Sequence, residues 1–107
     1  MKKRKHHVYV LRCEKNGSYY TGYAINYQRR VQQHNAGRGA KYTRAFGPCT
    51  LLVAWEYTSR SVALRAEYQF KQLPRAVKVR YVHDPHAWVQ DSVRCLGVAY
   101  SAPDRAP

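Results

Sequence analysis

Two tyrosines, an arginine and a histidine in the first third of the chain could bind an anion and move protons. Tyr9 and Tyr20 each lie in a run of β-branched and aromatic residues, and Arg30 and His34 follow in a more polar segment. A guanidinium offers paired hydrogen bonds to an oxyanion, while phenol and imidazole groups donate and accept protons. The four side chains can act together only if the segments that carry them bring them to one place.

Residues 7–23 predict a β-hairpin that places the two tyrosines on one face. The Asn16-Gly17 pair separates two strand-like runs, and both residue types tolerate the positive φ of a type I′ turn. With a loop of two residues, or of four, odd positions of the first strand pair with even positions of the second. Side chains two apart in a strand share a face, so we expect Tyr9 and Tyr20 on the same side of the sheet.

Residues 27–36 predict a helix with Asn26 as its N-cap and Gly37 after its end. Arg30 and His34 are four positions apart, which makes them neighbours on one helix face. Judged alone, Arg30 is more typical of a surface arginine whose stem covers apolar area. His34 alone is likewise more typical of an ordinary hydrogen-bonded histidine than of a catalyst.

Residues 36–48 combine glycines with cations and have no apolar period, which predicts a loop. Glycine lets the backbone approach a phosphate closely, and Arg38, Lys41 and Arg44 supply positive charge. Tyr42 offers a ring on which a base can stack. A purely structural loop explains the glycines equally well, but the interleaved cations favour contact with phosphates.

Residues 49–57 are the most strand-like run and predict a third, buried strand. Ser59 or Ser61 then caps a helix that extends to about Leu73 and ends at the following proline. Residues 75–81 keep a short helical pattern. The order of these elements predicts an α+β fold, with a small, mainly antiparallel three-stranded sheet flanked by helices.

Glu67 lies on the flank of the apolar stripe of that helix, where a carboxylate needs a partner. Lys71, one turn later, offers an ordinary salt bridge, and a divalent cation is the alternative. Before residue 83 the other acids are Glu14 and Glu56 alone, which excludes a site of several carboxylates around two metal ions. One carboxylate completed by water and phosphate oxygens suits Mg²⁺.

Nineteen Lys and Arg residues against six Asp and Glu give the chain a formal net charge of +13. A field of that sign attracts polyanions, and in a cytosolic protein the abundant polyanion is nucleic acid. Charge alone fits a well-solvated surface or a ribosome-associated protein as well. It therefore indicates a class of partner and not an activity.

A length of 107 residues accommodates one domain with a small core. We expect a basic arm at residues 1–6, a domain at 7–82 and a loosely attached tail at 83–107. Within the tail, Trp88 and Val89 are expected to pack back on the domain. No apolar run approaches the ~18 residues that a membrane-spanning helix needs. The widely spaced cysteines predict reduced thiols in a cytoplasmic protein; they are Cys13, Cys49 and Cys95.

The combined spacing of these residues resembles the GIY-YIG nuclease domain, in its small single-domain bacterial branch. His7-Val8-Tyr9 stands at the first name-giving motif and Tyr20-Thr21-Gly22 at the second, and both keep the tyrosine. The resemblance covers roughly residues 7–82. Its remaining positions are Arg30, His34, the run Gly39-Ala40-Lys41-Tyr42-Thr43-Arg44, and Glu67.

The resemblance implies a divalent-metal-dependent endonuclease that hydrolyses DNA phosphodiester bonds and selects its target by structure, with a role in DNA repair. It implies a catalytic set of Tyr9, Tyr20, Arg30, His34 and Glu67. In that pattern a tyrosine positions or deprotonates water, Arg30 stabilises the phosphate, and Glu67 holds Mg²⁺ or Mn²⁺. His34 is a hydrogen-bond partner or auxiliary base. Which tyrosine is the base stays open. Either one has a phenol of pKa ~10, which is a poor base unless the arginine and the metal lower that pKa.

The expected partner is nucleic acid, DNA before RNA. We expect a monomer that does not associate with a membrane and does not use a small-molecule cofactor. Some members carry a lysine just after the second motif, where this chain has Tyr23, so that role is vacant or is filled by Lys41 or Lys71. The alternative is a nucleic-acid-binding module on the same fold with little or no catalysis. The expected nucleic-acid contacts are Arg38, Lys41, Tyr42, Arg44 and Lys71.

Overall fold

The structure is a computed structural model that describes residues 5–96 and 104–105, with side chains described through residue 92. Residues 1–4 of the expected basic arm lie outside it, and His6 already belongs to the first strand. None of the helices in these ranges is both long and apolar enough to span a membrane. The elements are β1 (His6–Cys13), β2 (Tyr19–Ala24), α1 (Tyr27–Asn35), α2 (Lys41–Phe46), β3 (Cys49–Tyr57), α3 (Arg60–Lys71), α4 (Arg75–His83), α5 (Pro85–Leu96) and β4 (Asp104–Arg105).

The sheet has the order β2-β1-β3-β4, and every neighbouring pair of strands is antiparallel. The predicted α+β fold with a three-stranded antiparallel sheet is confirmed, and β4 adds a two-residue pairing at the outer edge of β3. Strand β1 lies between β2 and β3. The strand that carries Tyr9 is therefore central, and the one that carries Tyr20 forms an edge.

The pairing of β1 with β2 confirms the predicted parity of the hairpin. Tyr9 pairs with Gly22, and Leu11 pairs with Tyr20. Residues paired across an antiparallel ladder share a face, and so do residues two apart along one strand. Tyr9 and Tyr20 consequently lie on the same face of the sheet.

The turn of this hairpin is not the predicted type I′. Gly17 has a φ of 69°, but Asn16 does not adopt positive φ, which a type I′ turn requires at both positions. The Asn16 side chain instead accepts hydrogen bonds from the backbone N–H and the hydroxyl of Ser18, at 3.1 and 2.7 Å. A side-chain cap of this kind closes a longer loop, so one left-handed residue is enough.

Helices cover both faces of the sheet. Helices α3 and α5 pack on the face with the larger core, in which the rings of Trp55, Phe70 and Trp88 lie with centroids 5.3 to 6.2 Å apart. Helix α1 packs on the other face over a smaller core that contains Tyr9 and Tyr27. The candidate site residues from the first strand and the first helix therefore meet on the side of the smaller core.

Cys13 and Cys49 face each other across β1 and β3, both free and buried, with their sulfur atoms 3.6 Å apart. Burial, together with the Cys13 thiol, raises the pKa of Cys49 to about 12. Cys49 is therefore a neutral thiol at neutral pH and does not resemble an activated nucleophile. Cys95 lies outside the residues whose side chains are described.

The segment from residue 36 to residue 48 contains a helix, contrary to the prediction of a loop. Helix α2 begins after Ala40, whose carbonyl oxygen accepts a hydrogen bond of 2.9 Å from the Thr43 hydroxyl. Tyr42 and Phe46, four positions apart, pack with ring centroids 4.7 Å apart. A six-residue helix has room for only one such apolar pair, which is too short a signal to show a period.

Helix α5 replaces the expected start of an irregular tail. Trp88 is 4% exposed, and its indole N–H donates to the Tyr57 hydroxyl at 3.1 Å. The Trp55 indole N–H donates to the carbonyl oxygen of Pro85 at 3.1 Å. The predicted packing of Trp88 and Val89 against the domain is confirmed. Proline suits the first turn of a helix because no N–H is needed there, so Pro85 is compatible with the start of α5.

Candidate active site

Tyr9 occupies the centre of the α1-facing side of the sheet and is 1% exposed. Its ring fills the space above Gly22, where an added Cβ would overlap the phenol oxygen and lie 2.5 Å from the carbon that bears it. The glycine of Tyr20-Thr21-Gly22 is therefore a packing requirement of the tyrosine on the neighbouring strand. The two sequence motifs are complementary parts of one arrangement.

His34 is brought to Tyr9 by helix α1 and is 2% exposed. The Tyr9 phenol oxygen lies 2.9 Å from Nε2 of His34, and the Thr43 hydroxyl lies 2.7 Å from Nδ1. The ring of Tyr20 also contacts the imidazole, with centroids 5.0 Å apart. A Cβ at Gly39 would overlap the imidazole, so the loop before α2 closes directly over the histidine.

The hydrogen bonds around Thr43 indicate which imidazole nitrogen carries the proton. The Thr43 hydroxyl donates its single hydrogen to the carbonyl oxygen of Ala40 at 2.9 Å. It then accepts from the Nδ1–H of His34, which leaves Nε2 as an acceptor for the Tyr9 hydroxyl. The Ala40 N–H also points at Nδ1, with its nitrogen 3.4 Å away, and this longer contact favours the other tautomer; the shorter threonine contact, at 2.7 Å, outweighs it. In this arrangement His34 is oriented to receive the phenol proton.

Burial lowers the pKa of His34, and the nearby charge of Arg30 lowers it further. The imidazole is therefore neutral at neutral pH and available as a proton acceptor. Arg30 itself is exposed on α1, one turn before His34, and its guanidinium donates to the Gln33 side chain at 3.2 Å. A solvent-facing guanidinium beside a buried acceptor can meet an incoming anion.

Both phenols titrate above their ordinary range. Burial is the largest cause of the raised pKa of Tyr9, and Tyr20 adds to it, while the hydrogen bond and charge of Arg30 oppose it. Burial likewise raises the pKa of Tyr20, again opposed by Arg30. Burial outweighs the arginine in both cases. Neither tyrosine is an ionised base by itself at neutral pH, and a base would have to take the proton from it.

Glu67 reaches the same place from the other side of the sheet. Its helix, α3, packs on the opposite face but also contacts the edge strand β2. The carboxyl charge lies close enough to raise the pKa of both Tyr9 and Tyr20. Lys71 Nζ lies 3.4 Å from the Glu67 carboxylate, in the predicted one-turn salt bridge. The five predicted catalytic residues are thus brought to one region, four from one face and Glu67 around the edge.

The donor set is compatible with one divalent cation held by a single carboxylate. Among the described residues no three His, Cys, Asp or Glu side chains cluster as a metal site. The charge of Glu67 acts on the phenols of Tyr9 and Tyr20, and a carboxylate with phenol oxygens in its vicinity offers the hard oxygen donors that match Mg²⁺ or Mn²⁺. Its present partner, Lys71, is half exposed, so that exchange for a cation costs little.

The predicted nucleic-acid contacts line two cavities or are exposed around α2. Tyr42 and Lys71 line a cavity beside Tyr20, whereas Arg44 lines a different cavity behind His34. Arg38, before α2, and Lys41, the first residue of α2, are both exposed. Thr43 and Gly39 were not singled out from sequence, although both lie in the quoted run. Only tertiary contacts reveal their relation to His34, because neither residue type signals it locally.

Comparison with known proteins identifies the family of this chain. A family model described as the GIY-YIG catalytic domain matches residues 5–81. A UPF0213 protein of Halobacterium salinarum is 56% identical over 73 residues, covering 68% of this chain and 94% of its own length. A UPF0213 protein of Halalkalibacterium halodurans is 47% identical over 77 residues, covering 72% and 81%.

A solved structure gives the same result for the fold. The solution NMR structure of the protein EF2693 from E. faecalis is 40% identical, covers 80% of this chain and 91% of its own, and superposes with a TM-score of 0.55. The family match at residues 5–81 spans the region that holds the five site residues. This chain belongs to the GIY-YIG family.

Proposed function

We propose that this protein is a divalent-metal-dependent endonuclease that hydrolyses DNA phosphodiester bonds and selects its target by structure. One observation carries the proposal: the Tyr9 hydroxyl is paired at 2.9 Å with a buried, neutral His34, in a region that also holds Arg30 and Glu67. The family is a nuclease-type family, which supports phosphodiester hydrolysis as the reaction at this site.

The pairing supports a proton relay through Tyr9 and His34 as the means of activating water. A water that hydrogen-bonds to the Tyr9 oxygen gives it a proton as the phenol proton passes to Nε2 of His34. The resulting hydroxide forms a new bond to phosphorus while the bond from phosphorus to the departing oxygen breaks. The imidazole ends protonated at both nitrogens, and the Thr43 hydroxyl accepts from the Nδ1–H throughout. No free phenolate is formed, so the raised pKa of Tyr9 is not an obstacle.

Arg30 and Glu67 serve the phosphate. The exposed guanidinium of Arg30 binds the non-bridging oxygens and stabilises the charge that develops on them. Glu67 would hold Mg²⁺ or Mn²⁺, with the phenol oxygens nearby as further ligands or partners of bound water. When bound, such an ion supplies Lewis-acid stabilisation of the departing oxygen.

The substrate is nucleic acid, DNA before RNA, and its contacts are ones that do not read base sequence. Lys41, Arg38 and Arg44 are exposed cations suited to phosphates, and Tyr42 is a partly exposed ring suited to stacking. Contacts of this kind respond to backbone path and unpaired bases. Selection by structure follows from them.

A second candidate function is nucleic-acid binding on the same fold without catalysis. It is favoured by the salt bridge that already engages Glu67 and by the raised pKa of both tyrosines. If the cation does not displace Lys71, the site retains an anion-binding arginine and a basic surface but has no means of assisting the leaving group.

The test is cleavage of branched, nicked and linear DNA by the purified protein with Mg²⁺ or Mn²⁺, repeated with chelator. We expect metal-dependent cleavage of the branched or nicked DNA that is lost in Glu67→Gln. The matched control is Glu14→Gln, an exposed acid at the hairpin turn, which should cleave as the unmodified protein does. Tight binding without cleavage under every metal condition would favour the second candidate. Equal cleavage by Glu67→Gln would remove Glu67 from the site.

A further inference from the structure

A cavity of about 240 Å³ lies next to the candidate active site and is not used by the relay. Its walls are Tyr19, Tyr20, Thr21, Tyr42, Lys71 and Lys78. Tyr20 also contacts His34, with ring centroids 5.0 Å apart, so the cavity and the site share one wall. A ligand in this cavity would therefore be adjacent to a phosphate held at Arg30.

The aromatic walls are held in place by contacts that leave the cavity open. The Tyr42 hydroxyl bridges the hairpin turn, accepting from the Asn16 amide at 3.0 Å and bonding to the Ser18 hydroxyl at 2.5 Å. The guanidinium of Arg75 stacks on the ring of Tyr19 at 3.9 Å and donates to the carbonyl oxygen of Gly17 at 2.9 Å. Rings fixed in this way offer stacking surface with little loss of side-chain entropy on binding.

One end of the cavity is strongly positive. Burial lowers the pKa of Lys78, and the charges of Arg75 and Lys71 lower it further, so three cations lie close together. Lys71 is paired with Glu67, whereas the salt bridges found among the described residues do not include Lys78. A partly buried lysine between two other cations is stabilised by an anion.

We propose that this cavity binds one unpaired nucleotide next to the phosphate that is cut, with its base against the tyrosine walls and its own phosphate on Lys78. The volume is below the range of cavities that take drug-sized ligands, so it suits a single ring system rather than a base pair. Rings and a cation are the two elements that single-stranded nucleic-acid sites combine. The inference rests on the proposed function for the identity of the neighbouring phosphate, and it specifies the substrate as DNA with an unpaired nucleotide at the cleavage position.

Binding is tested without cleavage, in chelator, by fluorescence anisotropy with a labelled branched DNA that carries an unpaired strand. Abasic positions are placed one at a time along that strand. We expect one position, next to the junction, at which loss of the base weakens binding about fivefold or more, and the other positions to change little. In Lys78→Ala and in Tyr42→Ala this single-position effect should disappear.

The matched control is Arg80→Ala, which removes an exposed cation from the same helix but does not line the cavity. It should weaken binding uniformly and keep the single-position effect. Circular dichroism of each variant confirms that it is folded. An abasic scan without a distinct position, or the same scan in Lys78→Ala and in Arg80→Ala, would overturn the inference.

Two further arms separate this inference from its foundations. A free mononucleotide that binds as tightly as the unpaired strand, and displaces it, would show a nucleotide-ligand site instead and overturn the assignment to substrate. Position-dependent binding in a protein that never cleaves would support the cavity and reject the nuclease. Cleavage with no dependence on the unpaired base would support the nuclease and reject the role of the cavity.

Discussion

The phenol oxygen of Tyr9 lies 2.9 Å from Nε2 of His34, and burial keeps that imidazole neutral. The contact joins the central strand to the first helix across 25 positions of sequence. A buried hydroxyl and a buried imidazole that satisfy each other are stable as a structural pair. In the proposed function, the same pair beside the exposed Arg30 provides a route by which a proton leaves a water molecule.

Tyr9→Phe is predicted to lower the cleavage rate by about 10²- to 10⁴-fold, because it removes the oxygen that transfers the proton. The ring is kept, so the packing over Gly22 is kept. The measurement is single-turnover cleavage, with DNA binding in chelator as the check on the fold. Tyr68→Phe, at a tyrosine that is 67% exposed, is the control and should leave the rate unchanged. An active Tyr9→Phe variant would exclude the relay.

The pKa of His34 is predicted to lie below its ordinary value of 6.5, because burial and Arg30 disfavour the imidazolium. The folded protein then binds this proton more weakly than the unfolded chain does. His34 therefore costs no stability above pH 6.5, and stability is lost as the pH falls from there through the folded pKa. Titration of the His34 ring by NMR measures the midpoint, which should rise in Arg30→Ala. A midpoint above 6.5 would contradict the neutral acceptor.

Thr43→Val is predicted to lower the cleavage rate by roughly 10- to 100-fold, because the Nδ1–H of His34 loses its acceptor and the ring loses its orientation. Thr43→Ser keeps the hydroxyl and should restore most of the rate. The distinguishing readout is the tautomer of His34, observed through its ¹⁵N shifts. We expect the Nδ1-protonated form in the parent and in Thr43→Ser, and a mixture in Thr43→Val. An unchanged tautomer in all three would leave Thr43 with a structural role only.

Gly39→Ala is predicted to abolish cleavage while Gly37→Ala does not. A Cβ at residue 39 overlaps the His34 ring, whereas a Cβ at residue 37 meets no atom within 4 Å. Both variants should lose stability, the first by about 1–3 kcal/mol from overpacking and the second by about 1–2 kcal/mol because Gly37 has a φ of 77°. Thermal unfolding measures the loss, and cleavage is compared at a temperature where both are folded. Similar activity in the two variants would show that the imidazole position is not critical.

The sequence predicted the elements that depend on local chemistry. Period-two patterns and the Asn16-Gly17 pair indicated the hairpin and the shared face of its tyrosines, because strand parity follows from the chain alone. Asn26 caps α1 as expected, and of the two serines expected for α3 it is Ser59 that caps it; each side chain accepts from the backbone N–H three residues later. The third strand has the predicted bounds.

What sequence patterns missed depends on contacts between distant segments. Helix α2 contains only one apolar pair, Tyr42 and Phe46. Helix α5 is held to the domain by Trp88, whose hydrogen-bond partner Tyr57 lies 31 positions earlier. The bond between His34 and Thr43 and the cavity beside Tyr20 arise only when the sheet, α1 and α2 are assembled. Resemblance to a family selected Arg30 over the chemically identical Arg29, which composition alone could not do.

The contrast between Arg30 and Arg29 provides the most direct test of the proposed active site. The cleavage rates of Arg30→Ala and Arg29→Ala are compared on the same DNA, since both variants remove one exposed arginine from the same helix and leave the same net charge. We predict that Arg30→Ala lowers the rate by about 100-fold or more, the cost of losing one charge-stabilising donor, and that Arg29→Ala stays within a few-fold of the parent. Equal rates for the two variants would contradict the assignment of this site.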